Sequence, residues 1–291
     1  MPDVGPLLKH WRAARRLSQV ALAAEAAVSL RHLSFLETGR AKPSRAMVLK
    51  LAGVLDVPLR DRNTLLLSAG FSPEYEESAL DAPALAAVRD ALEAILGQQE
   101  PYPALVMDRS WDIRHANGAA RRFFAFLHSG HDTEPPGPPN VLRRMFHPDG
   151  VRPHVTNWPE VAEALVARVR REALGGVTDE RAQRILDEVL HYPGVPATLR
   201  TLDATRPSLP IVPIRYTRDG LRFGFFSTVT TLGTPQDVTL QELRIECFHP
   251  MDDETRENVR SQLAQGEPAV ARSSSVTPAS RRSRTSSPAI E

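Results

Sequence analysis

Residues 17–42 read LSQVALAAEAAVSLRHLSFLETGRAK, and the spacing of their apolar side chains decides what the first part of the chain is. Ser18 and Ser29 each precede a helix-forming run, where a hydroxyl can satisfy the free amides of a first turn. The first run sets Val20, Leu22, Ala23 and Ala26 along one stripe, and the second buries Leu33 and Leu36 three apart. Two short helices crossed at a tight turn follow from that pattern. Leu30, Arg31, His32, Ser34 and Phe35 are left outside the buried stripe, at the start of the second helix. So mixed a set suits a helix whose N-terminal residues lie in a DNA major groove. Periodicity alone fits a helical hairpin with a solvated face equally well.

The flanks complete a small helical unit. Residues 5–16 predict a helix with Leu7, Leu8 and Trp11 inward; Ser44 caps another running to Leu55, and Leu59–Ala69 supplies a fifth, closed by Gly70. Residues 1–71 carry 11 Lys or Arg against 5 Asp or Glu, a charge of +6, so the remainder carries −5 of the overall +1. A basic head on an acidic body is what duplex DNA as partner would require. At 291 residues the chain is too long for this module alone and predicts about two domains.

The stretch resembles the helix-turn-helix of phage-repressor type, Cro-like or XRE, through Leu17-Ser18-Gln19, Val28-Ser29 and Leu36-Glu37-Thr38-Gly39-Arg40. The likeness implies a five-helix, lambda-repressor-like domain over about seventy residues. By it, Gln19 and Ser29 meet phosphate or base edges, Leu30, Arg31, His32 and Phe35 face the groove, and Arg40 and Lys42 grip the flanking backbone. Arg31 is the candidate for a bidentate guanine contact, with Leu30 or Phe35 against a thymine methyl. The same pattern pairs Arg12 with Glu37 as a structural ion pair, and it places Ala27 where Gly is usual.

Beyond Phe71, SPEYEESALDAP marks a linker, and residues 72–101 include an amphipathic helix from Pro83 to Gln99 that packs on its own body or joins a partner helix. From Tyr102 the period becomes two, predicting strands at Leu105–Met107 and Trp111–His115, then helices over Gly118–Leu127, Val141–Phe146, Pro159–Leu174 and Asp179–Leu190. A Pro/Gly loop is expected at 129–140. Three strand-like runs follow at Ile211–Tyr216, Leu221–Thr231 and Val238–Phe248. Residues 252–291 end in ARSSSVTPASRRSRTSSPA, with almost nothing to bury, and are expected to be a disordered tail.

The order of these elements, with Asp108-Arg109-Ser110-Trp111-Asp112-Ile113 and Asn117-Gly118-Ala119-Ala120, resembles a PAS-like sensor. Taken with the head, the chain to about residue 251 resembles the MmyB-like transcription regulators. That resemblance implies an α+β chain whose C-terminal half, residues 102–251, is a five-stranded antiparallel sheet with helices over one face. It also implies a pocket for a small apolar, fatty-acid-like molecule, with no other cofactor. Around that space the pattern places Phe123, Phe124, Leu142, Phe146, Trp158, Val161, Leu165, Val212, Ile214, Phe223 and Phe225. For a carboxylate head group, Arg143, Arg144 and Arg170 are the nearest guanidiniums in sequence.

Catalysis finds no support. His128 and His131, with His147 and His154 nearby, lack an HExxH frame or Cys partner, and there is no phosphate-binding Gly loop or Gly-x-Ser-x-Gly elbow. Cys247 is the one cysteine, so no internal disulfide forms, and its apolar strand context predicts a buried small residue. No run approaches the about 18 apolar residues of a membrane span, so a cytoplasmic protein is expected. The sequence therefore describes a dimeric, sequence-specific DNA-binding regulator that is not an enzyme. The alternative is a DNA-binding protein whose C-terminal half serves only as a dimerisation or interaction scaffold.

Overall fold

The computed structural model describes residues 3–128, 139–174, 180–202 and 211–263. Five helices come first: α1 Val4–Ala14, α2 Gln19–Glu25, α3 Leu30–Glu37, α4 Arg45–Val54 and α5 Leu59–Ser68. Ser18, Ser29 and Ser44 each accept a hydrogen bond from the amide three residues on, at 3.0, 3.2 and 3.2 Å. The helices meet over Leu8, Trp11, Leu22, Leu33, Leu36, Val48, Leu51 and Leu66, all at most 1 % exposed. Gly5 lets α1 cross the end of α3 at close range, since a Cβ there would lie 2.7 Å from the Leu36 carbonyl oxygen. Val20 corrects the expected stripe: it is 63 % exposed, because at the second position of α2 it lies off the Leu22–Ala23–Ala26 face.

A 3-10 turn, Pro83–Leu85, leads into α6 Ala86–Gln98. The C-terminal half then runs β1 Ala104–Met107, β2 Ile113–Ala116, α7 Gly118–His128, α8 Val141–Phe146, α9 Trp158–Leu174 and α10 Glu180–Val189. It ends with β3 Ile214–Arg218, β4 Leu221–Thr230, α11 Val238–Glu242, β5 Arg244–Pro250, α12 Asp253–Asn258 and a π-helical turn Val259–Leu263. The strands form one antiparallel sheet in the order β2-β1-β5-β4-β3. This is the expected α+β architecture with a PAS-like sheet.

Register sorts the side chains between the two faces. Leu105, Met107, Tyr216, Phe223, Phe225 and Phe248 enter one core with Phe123, Phe146, Trp158 and Val161 from the helices. Ala104, Val106, Ile245 and Cys247 lie on the other face, against Leu92 and Leu96 of α6. The amphipathic helix therefore packs on its own body, and both faces of the sheet are covered where the sequence suggested one.

The strand expected over Ile211–Tyr216 spans Ile214–Arg218, and three further points differ from the sequence reading. Trp111 has φ +68° and belongs to the turn, so β2 starts at Ile113. Val238–Glu242 is helix rather than strand, because Asp237 caps it by accepting from the Thr239 and Leu240 amides. The segment expected to be tail begins as structure: Thr255 and Val259 are 1 % and 0 % exposed, and the Thr255 hydroxyl accepts from the Gly224 amide. The loop expected over 129–140 and the tail beyond Leu263 fall, for residues 129–138 and 264–291, outside the described residues.

Candidate functional site

The outward face of α3 is set by what holds its inward face. Glu37, buried at its C-terminal end, receives two hydrogen bonds from Arg12, Nε to Oε1 at 2.7 Å and Nη2 to Oε2 at 2.9 Å. Arg12 also donates to the Leu17 carbonyl. Burial pushes the Glu37 carboxyl up, but the hydrogen bonds from Arg12 and Gln19 and the Arg12 charge prevail and hold it below the usual carboxylate range. The expected structural pair is thus present and bidentate, the stronger geometry for such a pair. It fixes the rotation of α3, leaving Leu30 45 % exposed and Arg31 exposed at the N-terminal end.

The other proposed contacts sort by position. His32 and Phe35 are half-buried, with the Arg31 guanidinium 5.3 Å from the Phe35 ring centroid. Ser29 is exposed while its hydroxyl caps α3, and Arg40 and Lys42 lie exposed just past its end. Gln19 stands apart: its Nε2 donates to Glu37 Oε2 at 2.8 Å, so its amide is turned toward the ion pair.

In the C-terminal half, Phe123 is the hub. Its ring meets Tyr216, Phe223 and Phe225 edge-to-face at 5.1, 5.4 and 5.5 Å between centroids. Leu142, Phe146, Trp158 and Val161 are buried with it, and Trp158 Nε1 donates to the Met145 carbonyl at 2.9 Å. Phe124, Leu165, Val212 and Ile214 pack against this core while keeping part of their surface accessible. Two polar atoms inside it, the Tyr216 hydroxyl and Trp111 Nε1, have no hydrogen-bond partner. An unsatisfied buried donor costs about 1–3 kcal/mol.

Compared with known families, residues 88–261 match the MmyB-like transcription regulator ligand binding domain, and residues 3–65 match a helix-turn-helix domain. The chain belongs to the MmyB-like transcription regulators. Among curated proteins nothing matches it. One solved structure with similarity is described as an RNA-binding Light-Oxygen-Voltage receptor: 15 % identity and a TM-score of 0.27 over 87 % of this chain and 60 % of that one. The chain thus spans less than two thirds of that protein, and so loose an overlap bears on neither fold nor function.

For an MmyB-like regulator with a helix-turn-helix head, DNA and a small molecule are the partners its two parts call for. Of the three arginines suggested by sequence as carboxylate anchors, Arg143 is held by Glu188, with Nη2 to Oε2 at 2.7 Å, and Arg170 donates to the carbonyls of Arg200 and Leu202. Arg144, on α8, is half-buried. No helix among the described residues is long and apolar enough to cross a membrane.

Sequence reasoning missed how the two halves meet. Leu59 N–H donates to Gln241 Oε1 at 2.6 Å, Arg60 binds Glu242 and Glu77, and Arg109 Nη1 reaches Glu242 Oε1 at 2.9 Å. Ser78 N–H donates to Asp237, and Val238 N–H to the Glu76 carbonyl. Arg60, Glu77, Ser78, Arg109 and Glu242 border a solvent-open cleft of about 1160 Å³ between head, linker and sheet, rimmed also by Arg89 and Arg114. The missed signal was local: Asp237 three residues before Leu240 is a helix cap, which places Gln241 and Glu242 on a helix facing α5.

Proposed function

We propose that this MmyB-like regulator binds a specific operator through the N-terminal end of α3 and adjusts that binding when its C-terminal domain takes up a small apolar molecule. In this reading residues 1–71 are the DNA-binding head, 72–101 the linker and 102–251 the PAS-like sensor of a cytoplasmic homodimer. Leu30, Arg31, His32 and Phe35 read bases, Ser29, Arg40 and Lys42 hold the backbone, and Gln19 supports them through Glu37. The observation that carries the reading is the outward set of Leu30 and Arg31 on a helix whose rotation Arg12 and Glu37 fix. The +6 charge of the head adds the sequence-independent attraction that such a protein needs.

For the sensor, support comes from the half-exposed apolar side chains of Phe124, Leu165, Val212 and Ile214 beside buried unsatisfied polar atoms. A fatty-acid-like ligand would lie along them, with Arg143, Arg144 and Arg170 the guanidiniums that the sequence suggests for its head group. The edge-to-face packing of Phe123 with Tyr216, Phe223 and Phe225 favours the second reading, a solid scaffold without ligand. Coupling requires that ligand affinity differ between free and DNA-bound protein. Footprinting on genomic fragments tests the first half: a protected, reproducible site is expected, and uniform binding to all fragments would overturn it. Native mass spectrometry of the freshly purified chain tests the second, with a stoichiometric co-purified small molecule expected and none found under the scaffold reading.

A further inference from the structure

The cover that α6 lays on its face of the sheet reaches β1 and β5 and ends there. Register sets Phe226, Thr228 and Thr230 of β4 beside His249, Cys247 and Ile245 of β5, and Ile245 and Cys247 beside Val106 and Ala104 of β1. All of these share the face on which Leu92 and Leu96 of α6 pack. Ala104, Val106 and Ile245 are buried there, whereas Thr228 and Thr230 are exposed and Phe226 and His249 half-buried. On β3, Arg215 and Thr217 lie opposite Gly224 and Arg222 and carry the same face to the edge of the sheet; Arg215, Thr217 and Arg222 are exposed. Phe226 stacks on His249 at 5.1 Å between centroids, and Thr228 Oγ1 lies 3.0 Å from His249 Nε2, so the bare half is held in place by its own contacts.

The helix beside this bare half complements it in shape and charge. Ala87, Ala91 and Ala94 recur at four and three residues along α6, all exposed, and Ile95 next to them is 37 % exposed. Side chains so small let another surface approach the helix closely. Asp90 and Glu93 are exposed on α6 as well, and neither they nor Arg215 and Arg222 have an ion-pair partner among the described residues. One chain thus offers two acids on the helix over β1 and β5 and two guanidiniums on the strands that the helix leaves bare. A surface that holds a feature and its complement side by side pairs with itself about a two-fold axis. The chain's own residues 264–291, with four Arg against two Glu, would suit the acids of α6 but be repelled by Arg215 and Arg222.

We propose that a second copy of this chain covers the bare half, with α6 of each copy lying on β3 and β4 of the other and Asp90 and Glu93 set against the partner's Arg215 and Arg222. This rests on the homodimer of the proposed function and assigns its contact face.

Sedimentation velocity of the full-length protein over a range of micromolar concentrations tests it, with circular dichroism melts to check folding. The parent should sediment as a dimer. Arg215→Glu with Arg222→Glu in one variant, and Asp90→Arg with Glu93→Arg in another, should each raise the dissociation constant by about tenfold or more, because like charges then face one another. An equimolar mixture of the two variants should sediment as a dimer again, since each chain meets its opposite charge at both contacts. Dimerisation untouched by either reversal, or a mixture of folded variants no tighter than its components, would overturn the face while leaving a homodimer in place. A monomeric parent would overturn the dimer and the face together, and would hand the surface to the tail or to another protein. Where a reversal unfolds the chain, Arg215→Gln with Arg222→Gln should weaken the dimer in the same direction, and an unchanged dimer would again overturn the face.

Discussion

Glu242 of α11 accepts a hydrogen bond from Arg60 of α5, Nε to Oε1 at 2.7 Å, and so ties the DNA-binding head to the sheet domain across 182 positions of sequence. The hydrogen bonds that Arg60 donates to Glu242, with those to Glu77, outweigh burial, which opposes the charge, and the guanidinium is held above its already high range. With Arg60 35 % exposed, the pair contributes no more than about 1 kcal/mol to stability. Its weight falls on orientation. Glu242→Ala should leave operator affinity without ligand within twofold of the parent and reduce the ligand-induced change toward none. Gel-shift titrations with and without ligand measure both; an undiminished ligand effect would place the coupling elsewhere.

The Arg12–Glu37 pair is a stability element, not a DNA contact. The Glu37 side chain is 1 % exposed, and removing one partner of such a pair typically costs about 3–5 kcal/mol. Arg12→Ala or Glu37→Ala should therefore unfold the head rather than weaken binding alone. The pH dependence follows from the direction of the shift. A carboxyl whose folded pKa is depressed lends stability that is fully present above its unfolded value, about 4.3, and is lost as pH falls through the folded value. Circular dichroism melts between pH 6 and pH 3 should show the head losing stability below about pH 4.3, and Glu37→Gln should flatten that loss.

Ala27 sits at φ +47° in the turn between α2 and α3. A left-handed alanine costs about 1–2 kcal/mol, and glycine's extra freedom when unfolded returns about 0.5–1 of that. Ala27→Gly should raise the melting temperature of the head by a few degrees. A lower melting temperature would contradict the left-handed turn.

Arg31 and Lys42 should fail differently. Arg31→Ala at the start of α3 is expected to cost about 1–3 kcal/mol on the cognate operator and to relax preference at one base pair, whereas Lys42→Ala weakens all duplexes and lowers the salt slope by about one. Fluorescence anisotropy on cognate and random duplexes at several salt concentrations separates the two. Equal losses on both duplexes from Arg31→Ala would remove it from base reading.

How much of this could be read in advance depended on the range of the cause. Serine caps, the Leu33–Leu36 spacing and the left-handed Ala27 are local, and each stands where the sequence put it. Val20 misled because a seven-residue helix is too short for its stripe to be phased from periodicity alone. Gln241 and Glu242 looked like part of a strand, and their partners on α5 lie too far back in the chain for any spacing rule to find.

Phe223 shows where the same gap changes a prediction. Sequence pattern placed it beside a pocket, so Phe223→Trp would fill space and blunt the ligand response. The residue is 1 % exposed, with Phe123 and Phe126 edge-to-face at 5.4 and 6.0 Å and Tyr216 opposite it on β3. A larger ring there must displace well-packed neighbours, at about 1–3 kcal/mol. The variant should therefore lower the melting temperature of the C-terminal domain, and a reduced ligand response should appear only together with that loss. Leu165→Phe, at a half-buried position packed against the core, should instead reduce ligand uptake with less effect on melting. Paired melting curves and ligand titrations for the two variants check this, and the opposite ordering would return Phe223 to the pocket wall.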